Sequence, residues 1–200
     1  MKKHSITALL AAGLFFAYAC DNKTEEQKGE TTEVAEERND TTLTTDNAKD
    51  DAEFLVKAAN GGMLEVEAGI MAEKLATSKE VKEFAKQMIA DHSKANTELK
   101  AYASSKNIAL PDSIDVDTKD KLNKLAENKG AEFDEEYIDF MVSDHKDDVS
   151  LFEGASKDAN DPELKAWVDK TLPTLRHHLM MAQERDSLFE ASNSKKSKNH

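Results

Sequence analysis

Apolar residues recur at every third or fourth position through most of this chain, a spacing that predicts helices rather than strands. Four long helical stretches emerge: about Asp51 to Ala76, Ser78 or Lys79 to about Lys106, about Glu132 to Lys157, and Asp161 to about Phe189. Ser78 suits a helix cap, because its hydroxyl can accept from a first-turn amide, although Val81 stands where a capping box would carry Glu. Pro162 falls in the first turn of the fourth stretch, where a missing N–H costs nothing. Pro173 lies inside that stretch and should kink it, freeing the carbonyl of Asp169.

The links decide the topology. Thr77-Ser78 and the neighbourhood of Asn160 are tight joints, so each flanking pair of helices should form an antiparallel hairpin. The segment from Asn107 to Ala131 is different: about 25 residues, interrupted by Pro111, with a short helix of its own expected over Thr118 to Asn128. A connection that long can run the length of a bundle. The predicted fold is therefore all-α, a ferritin-like four-helix bundle with a long crossover between its second and third helices. A plain up-down-up-down bundle with a bulky loop is the alternative.

On the helical stripes, polar residues stand where core residues are expected. In the second stretch the stripe reads Val81, Phe84, Ala85, Met88, His92, Ala95, Leu99; in the third, Ile138, Met141, His145, Val149, Phe152. The fourth reads Leu164, Val168, Leu175, His178, Ala182, with His178 nearer the stripe's edge. His177 and His178 cannot both point inward, and the stripe favours His178. In the first stretch Glu65 shares a face with Phe54, Ala58, Ala68, Gly69, Ala72 and Ala76, small neighbours that leave room for a charged group and its partner. All four polar residues lie near the middles of their helices. Antiparallel helices of similar length align at their centres, so the four side chains should fall within roughly 5 Å of one level.

A buried carboxylate without a partner costs several kcal/mol, so Glu65 must be hydrogen-bonded, protonated or bound to a cation. Imidazole and carboxylate together suit zinc, iron, copper or manganese, and Glu65, His92, His145 and His178 are the expected ligands of one such ion. A hydrogen-bonded polar layer that fixes helix register is the competing reading. Asp91 and Asp144 precede His92 and His145 and point to a neighbouring seam, where each could orient an imidazole of another helix. Met88 and Met141 sit one turn before the same histidines and read as core filling rather than thioether ligands. The residues three before His92, His145 and His178 are Ile89, Val142 and Leu175, so the bridging carboxylates of a di-iron oxidase are missing and at most one ion is expected.

The rest of the chain is less structured in its pattern. Residues 1–19 read as a signal peptide: Lys2 and Lys3, an apolar run from Ile6 to Ala19 too short for a typical membrane span, and the small-residue zone Ala17-Tyr18-Ala19-Cys20. This resembles a bacterial lipoprotein signal. The resemblance implies lipidation of Cys20, the only cysteine, and an anchor facing the periplasm or cell surface, with the outer membrane expected. An ordinary secretion signal cut near Ala19 is the alternative. Residues 20–49 are expected to be a disordered acidic tether, residues 50–190 the bundle and residues 191–200 a disordered tail. Composition agrees with a helical domain: 34% charged residues, seven Gly and three Pro. A net charge of −13 without a basic face excludes nucleic-acid binding. No glycine-rich phosphate loop, nucleophile elbow or zinc-protease motif is present, which argues against a common enzyme class.

Several short motifs together resemble a known family, the ferritin-like domain of unknown function 4142, a group of predicted outer-membrane proteins. They are Glu65-Val66-Glu67-Ala68-Gly69, Val81-Lys82-Glu83-Phe84-Ala85, Met88 with Asp91-His92, Phe133-Asp134 with Tyr137, Asp144-His145, Phe152-Glu153, Leu172-Pro173 and His178-Leu179. The resemblance implies an exported four-helix bundle with a crossover. It implies no activity and no protein partner, so the metal expectation rests on spacing alone. A non-metal structural or interaction module of the envelope is the second reading, and a redox or peroxide-handling enzyme a third that the missing carboxylates oppose.

Overall fold

Polar side chains cap most of the described helices, and carboxylates within the helices fasten the neighbouring joints. The computed structural model describes residues 31–197. Among them are six helices and no strand: α1 (Thr32–Thr42), α2 (Asp46–Leu75), α3 (Lys79–Ser105), α4 (Val116–Glu127), α5 (Ala131–Asp158) and α6 (Pro162–Ser197). The expected signal peptide, Cys20 and the first part of the expected tether lie outside the described residues. No described helix is long and apolar enough to cross a membrane.

The joints reveal the topology. Ser78 caps α3 by accepting from the Val81 amide at 3.3 Å. The Asp134 carboxylate, in the first turn of α5, accepts from the backbone amides of Thr77 and Ser78, each at 2.8 Å, and from the Thr77 hydroxyl at 2.5 Å. The α2–α3 joint therefore lies at the start of α5. At the opposite end the Asp51 carboxylate of α2 accepts from the amides of Asn160 and Asp161, both at 2.9 Å, so the α5–α6 joint lies at the start of α2. Hence α2 and α5 are antiparallel while α3 and α5 run the same way. Only a connection that returns along the bundle allows this, and the crossover, not the plain up-down arrangement, is the observed one. The bundle is ferritin-like in its path.

Within the crossover, α4 is fastened to α2 by Asn60. Its amide donates to Asp115 at 2.8 Å and to Thr118 at 3.1 Å, while Asp115 caps α4 through the Thr118 amide at 2.7 Å. Gly130 ends the crossover at φ +64°, a left-handed conformation that costs glycine little. The continuation of α6 through Pro173 to Ser197 shows that one missing N–H does not end a helix whose adjacent turns bury Leu172 and Leu175 in the core.

Two expectations need correction. Residues 31–49 are not a disordered tether: α1 forms, Thr31 caps it, and α2 begins at Asp46 rather than Asp51. Ala35 is fully buried, and the Asn39 amide pairs with both backbone groups of Ala109, donating at 2.9 Å and accepting at 2.7 Å. The ordering is offset by polar pairing with the crossover rather than by apolar burial, so a hydrophobicity argument misses it. The expected tail from residue 191 is also helical as far as Ser197, and Asn193 donates to Glu135 at 2.8 Å.

The core has two apolar halves. One gathers Phe84, Met88, Phe133, Tyr137, Ile138 and Met141; the other gathers Phe54, Leu55, Leu99, Leu164, Val168 and Leu175. Each buried large side chain contributes about 1.5–3 kcal/mol. Between the halves runs a polar layer.

Candidate metal centre

Glu65, His92, His145 and His178 form that layer, one from each long helix, all buried at 4% exposure or less. The chain brings α2 and α3 unusually close there. A Cβ on Gly62 would sit 2.1 Å from the Asn96 side chain, and one on Gly69 would sit 2.8 Å from Ile89. Those glycines flank Glu65 by about one helical turn on each side, so the carboxylate is pressed toward α3. Its Oε2 lies 2.5 Å from His92 Nδ1, and its Oε1 lies 3.2 Å from His145 Nε2. His92 Nε2 faces His178 Nδ1 at 3.2 Å. The three imidazole centroids make a near-equilateral triangle of 5.2 to 5.4 Å.

Each imidazole has one nitrogen committed outward. His145 Nδ1 donates to the Met141 carbonyl at 3.0 Å, and His178 Nε2 donates to Asp91 Oδ2 at 3.0 Å. His92 turns Nδ1 to Glu65. One nitrogen of each ring is then left facing the layer: His92 Nε2, His145 Nε2 and His178 Nδ1. This histidine set offers three ligand atoms within 4.8 Å of one another. The 3.2 Å between His92 and His178 matches the roughly 3.3 Å expected between two nitrogens on a tetrahedral zinc-like ion.

The protons of the layer do not fill every contact. Three short contacts join Glu65, His92, His145 and His178: Oε2 to Nδ1, Nε2 to Nδ1, and Oε1 to Nε2. With the outer protons of His145 and His178 spent on Met141 and Asp91, neutral His92 supplies one proton and Glu65 at most one more. Three contacts share two protons, so one pair of acceptors always meets face to face. Consistent with that, Glu65 Oε1, Glu65 Oε2 and His145 Nε2 are buried without an aligned hydrogen bond. Burial holds all three histidines neutral: His92 is lowered, His145 falls to about 3 and His178 to about 4. A third proton is therefore not taken up at neutral pH. Burial, then the Asp144 charge, pushes Glu65 well above the usual carboxylate range.

The two aspartates behave differently from each other. Asp91 orients His178 across the α3–α6 seam. Asp144 does not orient any imidazole. Its Oδ2 is buried without a hydrogen bond, and Asp144 instead groups with Glu65 and His145, again with ligand atoms within 4.8 Å. Sequence reasoning also missed Asp148, which burial and the Glu65 charge raise well above its usual range. Its spacing was the available signal: four residues after Asp144 places it on the same helical face. His177 is exposed. Met88 and Met141 belong to the apolar half next to the layer.

The match to the family model for the domain of unknown function DUF4142 spans residues 35–184. The chain belongs to the DUF4142 family. No curated protein matches it. Solved structures do resemble this DUF4142 chain. CopM in the Cu(I)-bound form is 19% identical at a TM-score of 0.60, over 70% of this chain and 96% of that one. CopM in the Ag-bound form obtained by co-crystallization is 21% identical at 0.55, over 67% and 93%. A DUF305 fragment from Deinococcus radiodurans is 9% identical at 0.63, over 72% and 97%. At such identities the likeness shows the fold alone: this DUF4142 bundle shares its helical path with CopM and DUF305 proteins.

Proposed function

We propose that this DUF4142 protein is a cell-envelope metal-binding bundle that holds one soft or borderline transition-metal ion in its histidine layer. The shortage of protons at three buried contacts carries the reading, since a cation removes the acceptor clash that neutral groups cannot. His92, His145 and His178 are the ligands, with Glu65 and Asp91 fixing the rings of His92 and His178. Outer acceptors of this kind set the tautomer and raise ligand basicity. Neutral imidazoles suit copper, zinc and iron, and CopM, which shares the fold, is described in copper- and silver-bound forms. Copper(I) or silver(I) is therefore the first ion to test.

Anchorage belongs to the same proposal. A lipid on Cys20 would hold the bundle at an envelope membrane, with residues 21–30 as the spacer. The bundle would then bind or buffer metal at the membrane surface. Titration of the purified chain with Ag(I), read by calorimetry and elemental analysis, tests the centre. About one equivalent is expected for the wild type and none of comparable affinity for the His92→Ala, His145→Ala double variant. Equal, weak uptake by both would leave the bundle as a structural module with a polar layer. Mass spectrometry of the membrane fraction for a diacylated Cys20 tests the anchor.

A further inference from the structure

His145 belongs to two ligand sets but has one nitrogen to give. It groups with His92 and His178 on one side and with Glu65 and Asp144 on the other. Its Nδ1 is spent on the Met141 carbonyl, which leaves Nε2 alone. An ion bound by one set therefore excludes an ion from the other.

The second set also lies nearer the outside. A groove of about 350 Å3 runs between α4 and α5, lined by Lys121 and Leu125 from one helix and Phe140, Asp144 and Asp147 from the other. Asp144 is half-buried and forms part of that wall, while its Oδ2 is turned into the protein with no partner. Glu65, fully buried, lies behind it with its oxygens against His92 and His145 and neither in an aligned hydrogen bond. Residues of the crossover helix thus form one side of the approach to the layer, and an orphaned carboxylate spans from groove to interior.

We infer that the layer offers a single cation two alternative positions sharing His145 Nε2: an inner all-imidazole position and an outer oxygen-rich position at Glu65, Asp144 and His145, reached from the α4–α5 groove. This rests on the metal-binding reading above. Ligand chemistry separates the two positions. Carboxylate oxygens suit harder ions such as Mn(II), whereas imidazoles without carboxylates suit softer ones such as Ag(I). An ion arriving through the groove meets the carboxylates first, and His145 is the ligand common to both stops.

The test uses the full chain with Mn(II), followed by electron paramagnetic resonance, and with Ag(I), followed by calorimetry. Wild type should bind about one equivalent of either ion, and saturating Ag(I) should displace Mn(II). Asp144→Asn should weaken Mn(II) at least tenfold and change Ag(I) less than threefold; His178→Ala should do the reverse. Asp144→Ser, with circular dichroism on every variant, guards against a folding artefact in the first substitution. Simultaneous binding of both ions, no Mn(II) binding beside tight Ag(I), or equal effects of Asp144→Asn on the two would each overturn the shared-ligand inference while leaving the histidine centre standing. A wild type that takes up neither ion overturns both.

Discussion

Asp134 and Glu65 are both buried carboxylates, at 2% and 0% exposure, and the bundle treats them in opposite ways. Asp134 sits at a helix joint and receives two backbone amides and a hydroxyl. Glu65 sits at mid-bundle among imidazole nitrogens that cannot all carry protons, with the Asp148 carboxyl beside it. The first is a fastening whose every bond is made when the chain folds. The second is left with contacts that the protons of the layer do not all fill. Burial alone does not distinguish structure from function in this molecule; satisfaction does.

Four experiments press on that difference. Asp134→Ala should have the largest effect, lowering unfolding free energy by about 4 kcal/mol, because it strands buried amide donors. Urea denaturation measures it, and the Ag(I) affinity of the folded variant should stay within threefold of wild type. A large loss of Ag(I) affinity would mean the joint and the layer are one unit.

Saturating Ag(I), at 100 to 1,000 times its Kd, should stabilise the wild type by about 3–4 kcal/mol, read as a rise in Tm that a chelator reverses. An unchanged Tm would place Glu65 with Asp134 as a purely structural group.

The pH dependence is next. Burial raises Asp144 to about 7 and lifts Glu65 and Asp148 well above their usual range, so in the folded state they keep protons that the unfolded chain has already lost. Their contribution is lost as pH rises through the folded values. The lowered histidines act the other way, costing stability as pH falls from about 6.5 toward 3. Above about pH 7.5 the unfolded histidines are already neutral and only the carboxylates operate, so between about pH 7.5 and 9 metal-free stability should fall by about 1–3 kcal/mol. Bound metal should flatten that slope, and a flat slope without metal would contradict the burial assigned to these groups.

The smallest effect on stability belongs to Glu65→Gln. An amide of the same shape replaces a carboxyl already held neutral, so metal-free stability should change by less than about 1 kcal/mol. Ag(I) affinity should nonetheless fall about 10- to 100-fold, since the amide cannot release a proton to become the anionic acceptor that raises the basicity of His92. Glu65→Gln and Asp134→Ala are thus expected to exchange phenotypes.

Much of this was legible in the chain. The positions of His92, His145 and His178 on apolar stripes, and of Glu65 among small residues, follow from a period of 3.6, and similar helix lengths bring their centres near one level. His178 over His177 followed from the same stripe. Less legible was α1, because its burial rests on Ala35 and on an amide pairing of Asn39 with a backbone segment far along the chain. Asp144 and Asp148 were hard to read for a related reason. They stand at a stripe's edge, and only the packing of α4 and α2 against α5 decides that the edge is covered.

The sequence by itself determined the four long helices, the Ser78 cap, the two hairpin joints and the set of histidines that would face inward, because those depend on local propensity and helical period. Only the tertiary structure chose the crossover over the plain up-down path, turned Asp144 into the layer and fixed which nitrogen of each ring stays free. Those outcomes depend on contacts between residues distant in the chain and on atom-level hydrogen-bond partners, neither of which a one-dimensional pattern carries.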